Sequence, residues 1–288
     1  MPPISTPGDL ISRNKLEPEM LAYLWFSLEL GCSTLISGIP RTEKKSYLEA
    51  LSFFLPSGAR VACISEKGWR FHATEEWNDI RGASRSFSKL LGSVALDKTD
   101  RIILESIDTN ALKAMLKVEP MRPLLSTIKY NDIGKFVSHS NVATKWLTKL
   151  DVVAFVKKTP SGNPKERITE IVEIIGWNPS TPNRMAIYVP YWWEPNHGEY
   201  FFQGHSFLYE RYCETKNITG DEMDRLILER ADLLRWLPTK KMEPEEVRDT
   251  ILSYYRDRGF IDRCRDDLRA SGLLNCAHMK EKARIEWV

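Results

Sequence analysis

The chain has 288 residues, 42% of them hydrophobic and 28% charged, which is long enough to bury a substantial core. A formal net charge of +2 gives no global field for nucleic acid or an anionic membrane, and no apolar run approaches the ~20 residues that span a bilayer. The opening MPPISTPGDL lacks the basic and apolar regions of a signal peptide. Cys32, Cys63, Cys213, Cys264 and Cys276 are scattered without a CxxC pair, as expected of free thiols in a reducing, cytoplasmic setting.

In chain order, Glu17-Pro18-Glu19 opens a helix whose Met20, Leu21, Leu24, Trp25 and Leu28 recur at helical spacing until Gly31. Ser33–Ser37 reads as a short strand stopping at Gly38-Ile39-Pro40, and residues 43–55 read as a helix with Tyr47, Leu48, Leu51 and Phe54 on one face. Arg60–Ile64 is the next strand, completing a βαβ unit of a parallel sheet. A helix over 84–96, a strand at Arg101–Leu104, a helix over 109–118, a strand at Leu124–Ile128 and a short helix near 132–139 continue the alternation. Two strands then flank the turn-rich Thr159–Pro164, as in a hairpin, and residues 184–203 read as two more antiparallel strands around Glu194–Gly198. From Ser206 the pattern is helical, with Asp221 and Glu243-Pro244 opening helices and a mixed-charge terminal segment that is expected to be helical but weakly anchored. The organisation expected is an α/β core over 1–150, an antiparallel β extension of the same domain over 151–204 and a helical region over 205–288.

The first βα turn is where phosphate chemistry belongs, because a glycine-rich loop there aims backbone N–H groups at an anion. A working phosphate loop reads G-x-x-x-x-G-K-[ST]. Residues 37–46 read Ser-Gly-Ile-Pro-Arg-Thr-Glu-Lys-Lys-Ser: Gly38 and Lys44 fit, Glu43 stands at the second glycine, Lys45 stands at the hydroxyl position, and Ser46 comes one residue late. Taken alone the stretch also fits a lysine-rich helix start on a solvated face.

The wider frame, Leu16–Trp25 through Leu48–Val61, Arg101–Leu104, Leu125–Ile128, Leu150–Val156, Ile168–Ile175 and Arg230–Leu237, resembles the archaeal branch of the type II/IV secretion ATPases, which includes archaellum and type IV pilus motors. The resemblance covers nearly the whole chain. It implies a RecA-like P-loop NTPase fold, three-layer αβα with a β-meander extension and a helical C-terminal region. It further implies an oligomeric ATP- and Mg²⁺-dependent motor. The motifs themselves depart from that family. Glu43 would crowd and repel phosphate, and Lys45 cannot ligate a metal. Paired acids after the second strand are reduced to Ser65-Glu66, the Gly-Glu ending the Walker B strand becomes Glu105-Ser106, and Lys129 replaces the His-box histidine. A shift of one residue on a strand would turn Glu105 to the opposite face.

The residues carried forward are therefore Glu66 and Glu105 as candidate carboxylates, and Gly38, Thr42, Lys44, Lys45, Ser46, Arg81 and Arg85 as candidate nucleotide contacts. The leading expectation is a pseudo-ATPase that binds ATP and Mg²⁺ only if the loop survives, and that acts through protein partners. Those partners are an intact paralogous motor, in a homo- or hetero-oligomer, or a membrane platform protein at the inner face of the membrane. Phosphoryl transfer needs phosphate cradle, metal and base together. The N-terminal domain that closes the neighbouring subunit's site in this family is not recognisable, so a separate chain would have to supply it. Two rivals remain: an active ATPase using Lys44, Glu66 and Glu105, and a binding module with nucleic acid at Arg256–Arg265, where interleaved acids favour a salt-bridged face instead. His72, His139, His197, His205 and His278 show no metal-ligand spacing, and no metal site is expected.

Overall fold

The computed structural model describes residues 4–65, 69, 76–81, 98–117, 121–140, 142–159, 166–177, 185–257 and 259–274. The described helices are α1 (Pro7–Ser12), α2 (Pro18–Glu29), α3 (Lys44–Ser52), α4 (Thr109–Met115), α5 (Ile133–His139), α6 (Thr144–Leu147), α7 (Phe207–Lys216), α8 (Gly220–Trp236), α9 (Pro244–Arg256) and α10 (Phe260–Ala270). The strands are β1 (Thr34–Gly38), β2 (Val61–Ser65), β3 (Trp77–Arg81), β4 (Arg101–Leu104), β5 (Leu124–Ile128), β6 (Val152–Lys158), β7 (Glu166–Trp177), β8 (Met185–Glu194) and β9 (Glu199–Phe202). The helix expected over 84–96 lies outside the described residues.

The strands form one sheet in the order β3-β2-β4-β5-β1-β6-β7-β8-β9. Pairing is parallel from β3 through β6 and antiparallel from β6 to β9. β5 is inserted between β1 and β4, so the loop-bearing strand and the strand leading to Glu105 are separated by one strand. This is the strand order of a RecA-like P-loop fold, and it sets the ends of β1, β4 and β5 side by side.

Successive strand residues feed opposite faces, as the pleat requires. Ile36, Cys63, Ile103, Val152, Ala154 and Val156 join the core under α2, α3 and α7 to α10. Leu35, Ala62, Ile64, Ile102, Leu104, Val153 and Phe155 join the core under α4, α5 and α6. The sheet is thus covered on both sides, which explains why its central strands are continuous apolar runs.

Within the terminal segment the described helix is held more firmly than expected, and residues 275–288 lie outside the described residues. α10 buries Ile261, Cys264 and Leu268, and Arg265 Nε donates to Asp232 of α8 at 2.8 Å, so it is anchored to the helical layer. Of the aromatic run in β8 and β9, Tyr191, Tyr200 and Phe201 are buried, while Tyr188, Trp192, Trp193 and Phe202 are half-buried. Among the described residues no helix is long and apolar enough to cross a membrane.

Candidate functional site

β1 ends at Gly38 and α3 begins at Lys44, so residues 39–43 form the turn between strand and helix. The turn is tight at both ends. A Cβ on Gly38 would lie 2.8 Å from the Val156 carbonyl oxygen of β6 and 2.8 Å from Thr42 Oγ1, closer than a side chain is tolerated. Arg41 takes the left-handed backbone region (φ 71°) that ordinarily favours glycine. Thr42 Oγ1 donates to the Ile39 carbonyl at 2.8 Å, cross-linking the turn.

Lys44 is buried, with 9% of its surface exposed, so it lies off the solvated face that Glu43 and Lys45 present on either side of it. Its ammonium donates to the carbonyls of Gly38 (2.8 Å) and Ile39 (2.9 Å) and to Thr42 Oγ1 (3.1 Å). All three donors of the ammonium are therefore directed back into its own loop. Burial, with the positive charge of Lys129 at the end of β5, pushes the Lys44 pKa down, and Glu166 opposes the shift.

At the position of the second glycine, the Glu43 carboxylate pairs with the buried ammonium of Lys15, which precedes α2. Its backbone N–H points elsewhere and donates to Glu166 Oε1, at the start of β7. Hydrogen bonding to Lys15 holds the Glu43 carboxyl below its ordinary pKa, against the effect of burial. Beneath them the Tyr47 hydroxyl is buried without a hydrogen-bond partner among the described residues. Burial raises its pKa well above the ordinary value, and Tyr200, Glu166 and Glu43 add to the rise.

Lys45 projects along the other side of α3. Its Nζ lies 2.5 Å from Glu105 Oε1 and 5.8 Å from the centre of the Trp69 ring. Glu105 follows the alternation of β4: Ile103 faces the α3 side of the sheet, and Glu105, two residues on, reaches the same side. Glu105 lies just past the end of β4, its N–H on the Ile64 carbonyl and its carbonyl held by Thr127 Oγ1, so the carboxylate swings toward α3. Ser46 sits in the first helical turn, with its N–H on the Glu43 carbonyl at 3.0 Å. Arg81 is placed on β3 in register with Ser65, but its side chain, like Glu66 and Arg85, lies outside the described residues.

The sequence-derived set thus splits. Gly38, Thr42, Lys44, Lys45 and Glu105 converge at the ends of β1 and β4. Lys15 and Glu166 belong to the same cluster and were not anticipated, because one precedes the first long helix and the other lies far downstream in the chain, and neither carries a local motif.

The fit to the cofactors implied by the fold can be tested on these contacts. Gly38 keeps the close backbone approach that a phosphate loop needs. Magnesium does not fit. The helix position that should offer a hydroxyl offers an ammonium, and that ammonium is already joined to the strand-end carboxylate. Among the described residues there is no group of three His, Cys, Asp or Glu side chains suited to hold a metal.

The strand order and the tight β1–α3 turn define an α/β protein with a P-loop-type core. No protein-family model matches the chain. It is 26% identical over 265 residues to an uncharacterized protein of Methanocaldococcus jannaschii, covering 86% of this chain and 97% of that one. A second uncharacterized protein of the same organism is 24% identical over 273 residues, but this chain spans only 48% of its length. Among solved structures it is similar to the VirB11 ATPase of the Brucella suis type IV secretion system, solved in complex with sulphate, at 13% identity and TM-score 0.47. That match covers 53% of this chain and 51% of the other. The Legionella pneumophila ATPase DotB matches at 11% identity and TM-score 0.40, covering 94% of this chain and 67% of that one.

Proposed function

We propose that this protein is a secretion- or pilus-assembly-ATPase-like subunit that has kept the scaffold and lost metal-dependent hydrolysis, and that it works as a scaffold or regulatory partner. The observation that carries the reading is the Lys45–Glu105 ion pair. In a working site a divalent cation bridges the helix hydroxyl, the phosphates and the strand-end carboxylate. Here a cation of the chain itself lies between helix and strand. An ammonium neutralises Glu105 but cannot bridge phosphate oxygens as an octahedral metal does.

The other contacts support the same reading. Lys44 is occupied by loop carbonyls, and Glu43 is engaged at both its carboxylate and its N–H. The expected partners are an intact paralogous motor, in a mixed or uniform oligomer, or a platform protein at the inner face of a membrane. These expectations rest on the sequence resemblance. The nucleic-acid reading loses support, because Arg263, Arg265 and Arg269 of α10 pair with Asp257, Asp232 and Asp266.

Phosphate release from ATP by the full chain tests the proposal. With Mg²⁺ present we expect no turnover, and Lys45→Ser should raise affinity for Mn²⁺, read by paramagnetic relaxation. Magnesium-dependent turnover in the wild type that is lost in both Lys44→Ala and Glu105→Gln would overturn it and restore the active-motor reading.

A further inference from the structure

The backbone amide that should meet a phosphate already holds an anion. Glu43 immediately precedes α3, and its N–H donates to Glu166 Oε1 while its own side chain is turned away toward Lys15. Glu166 is only 8% exposed, so the contact is an enclosed one rather than a passing surface encounter. Its negative charge acts to raise the pKa of both Lys44 and Tyr47.

The position of Glu166 is fixed from two sides. It pairs with Lys158 as the first rung of the β6–β7 ladder. Two residues on, the Ile168 N–H donates to the Lys15 carbonyl at 3.0 Å, and the Tyr200 hydroxyl donates to the carbonyls of both Lys15 and Ile168 at 3.1 and 2.9 Å. Lys15 in turn holds Glu43. The chain before α2, the β1–α3 turn and the start of β7 are therefore tied in a closed circuit around this one amide.

We propose that Glu166 is a resident ligand of the loop, a carboxylate standing in the place of a phosphate and keeping polyphosphates out. The inference rests on reading residues 38–46 as a phosphate loop. A helix-start N–H favours any anion there, and a carboxylate satisfies it without a diffusible ligand. A phosphate oxygen arriving at the same amide would lose that donor to Glu166 and be repelled by its charge within a few ångströms. Entry therefore requires the Glu166 carboxylate to withdraw from the Glu43 N–H.

Calorimetry of the full chain with inorganic pyrophosphate and no metal tests this, on the wild type, Glu166→Gln, Glu166→Ala and Glu166→Gln combined with Lys44→Ala. Glutamine keeps an oxygen for the Glu43 N–H and removes the charge, so the fold should hold, and thermal melting verifies it. Glu166→Ala covers the case in which the amide oxygen still fills the place. The expected result is at least about tenfold tighter pyrophosphate binding in one of the two single variants than in the wild type, with the gain erased by Lys44→Ala. Equal affinity in the wild type and both single variants, including no binding by any, overturns the proposal. So does a gain that survives Lys44→Ala. ATP turnover by a wild type whose pyrophosphate affinity still rises about tenfold on removal of the Glu166 charge would count against the scaffold reading alone.

Discussion

Two clusters of buried charge in this molecule are built from the same materials and serve opposite ends. In the helical layer, Arg230 of α8 is 1% exposed; its Nη2 donates to Glu29 at 2.5 Å and to the Tyr212 hydroxyl at 3.3 Å. Its guanidinium stacks 3.7 Å from the Phe26 ring centre and 4.7 Å from that of Trp25. Glu29 also accepts from Tyr212 and Tyr255. Burial alone would raise the Glu29 pKa, but Arg230, the Tyr212 hydroxyl and Lys216 outweigh it and the net shift is downward. In the loop cluster, Lys44 is likewise buried, yet its partners among the described residues are the carbonyls and hydroxyl of its own turn rather than a carboxylate. The first cluster joins helices to one another. The second has the form of a ligand site whose ligands come from within the chain.

The comparison can be broken from either side. Arg230→Ala should have the largest effect, about 3–5 kcal/mol of lost stability, because it removes the guanidinium from a partly buried carboxylate and empties an aromatic stack. Urea denaturation would measure it, and a loss below about 1 kcal/mol would mean that the helical cluster is no more structural than the loop. Gly38→Ala comes next, at about 1–3 kcal/mol, since the added methyl meets the Val156 carbonyl and Thr42 Oγ1. Lys45→Ser should change stability by less than about 1 kcal/mol, because the pair it breaks is partly solvated. An equilibrium unfolding curve shifted further would show that the Lys45–Glu105 contact holds the fold together.

The smallest effect is a pH dependence away from both clusters. Hydrogen bonds from the Arg60 side chain and backbone hold the Asp100 carboxyl at about 2. Because the folded value lies below the unfolded one, the stability it gives is present above the unfolded pKa and fades as pH falls from near 4 toward 2. Both side chains are well exposed, so Asp100→Asn should flatten the acid limb by only a few tenths of a kcal/mol.

The strands were more legible than the site. Arg101–Leu104 and Leu124–Ile128 match their observed bounds because short apolar runs closed by polar residues leave one reading for a strand buried on both faces. β3 escaped notice, since Trp-Asn-Asp-Ile-Arg pairs with β2 alone at the sheet edge and carries no apolar period. α1, six residues long, was missed even though Thr6 and Asp9 form a capping box, because a single turn and a half leaves no periodicity to read. At the site, spacing from Gly38 places Lys44 and Lys45 at the start of α3, where the structure has them. It could not identify Glu166 or Lys15, whose roles exist only once β7 and the segment before α2 are folded against the loop. Nor could it show that Glu105, one residue beyond β4, meets Lys45 of α3.

β6 pairs in parallel with β1 on one edge and antiparallel with β7 on the other. Chain closure is therefore cheap on one side and expensive on the other. The meander from β6 to β9 closes through neighbouring segments, whereas Thr34 must find Val152 across most of the intervening core. Assembly of the sheet should accordingly begin in the meander, with β1 inserted late between β5 and a β6 that is already in place. The turn after Gly38 would then be shaped against a finished wall, so the start of β7 would be waiting at the loop when the loop first forms.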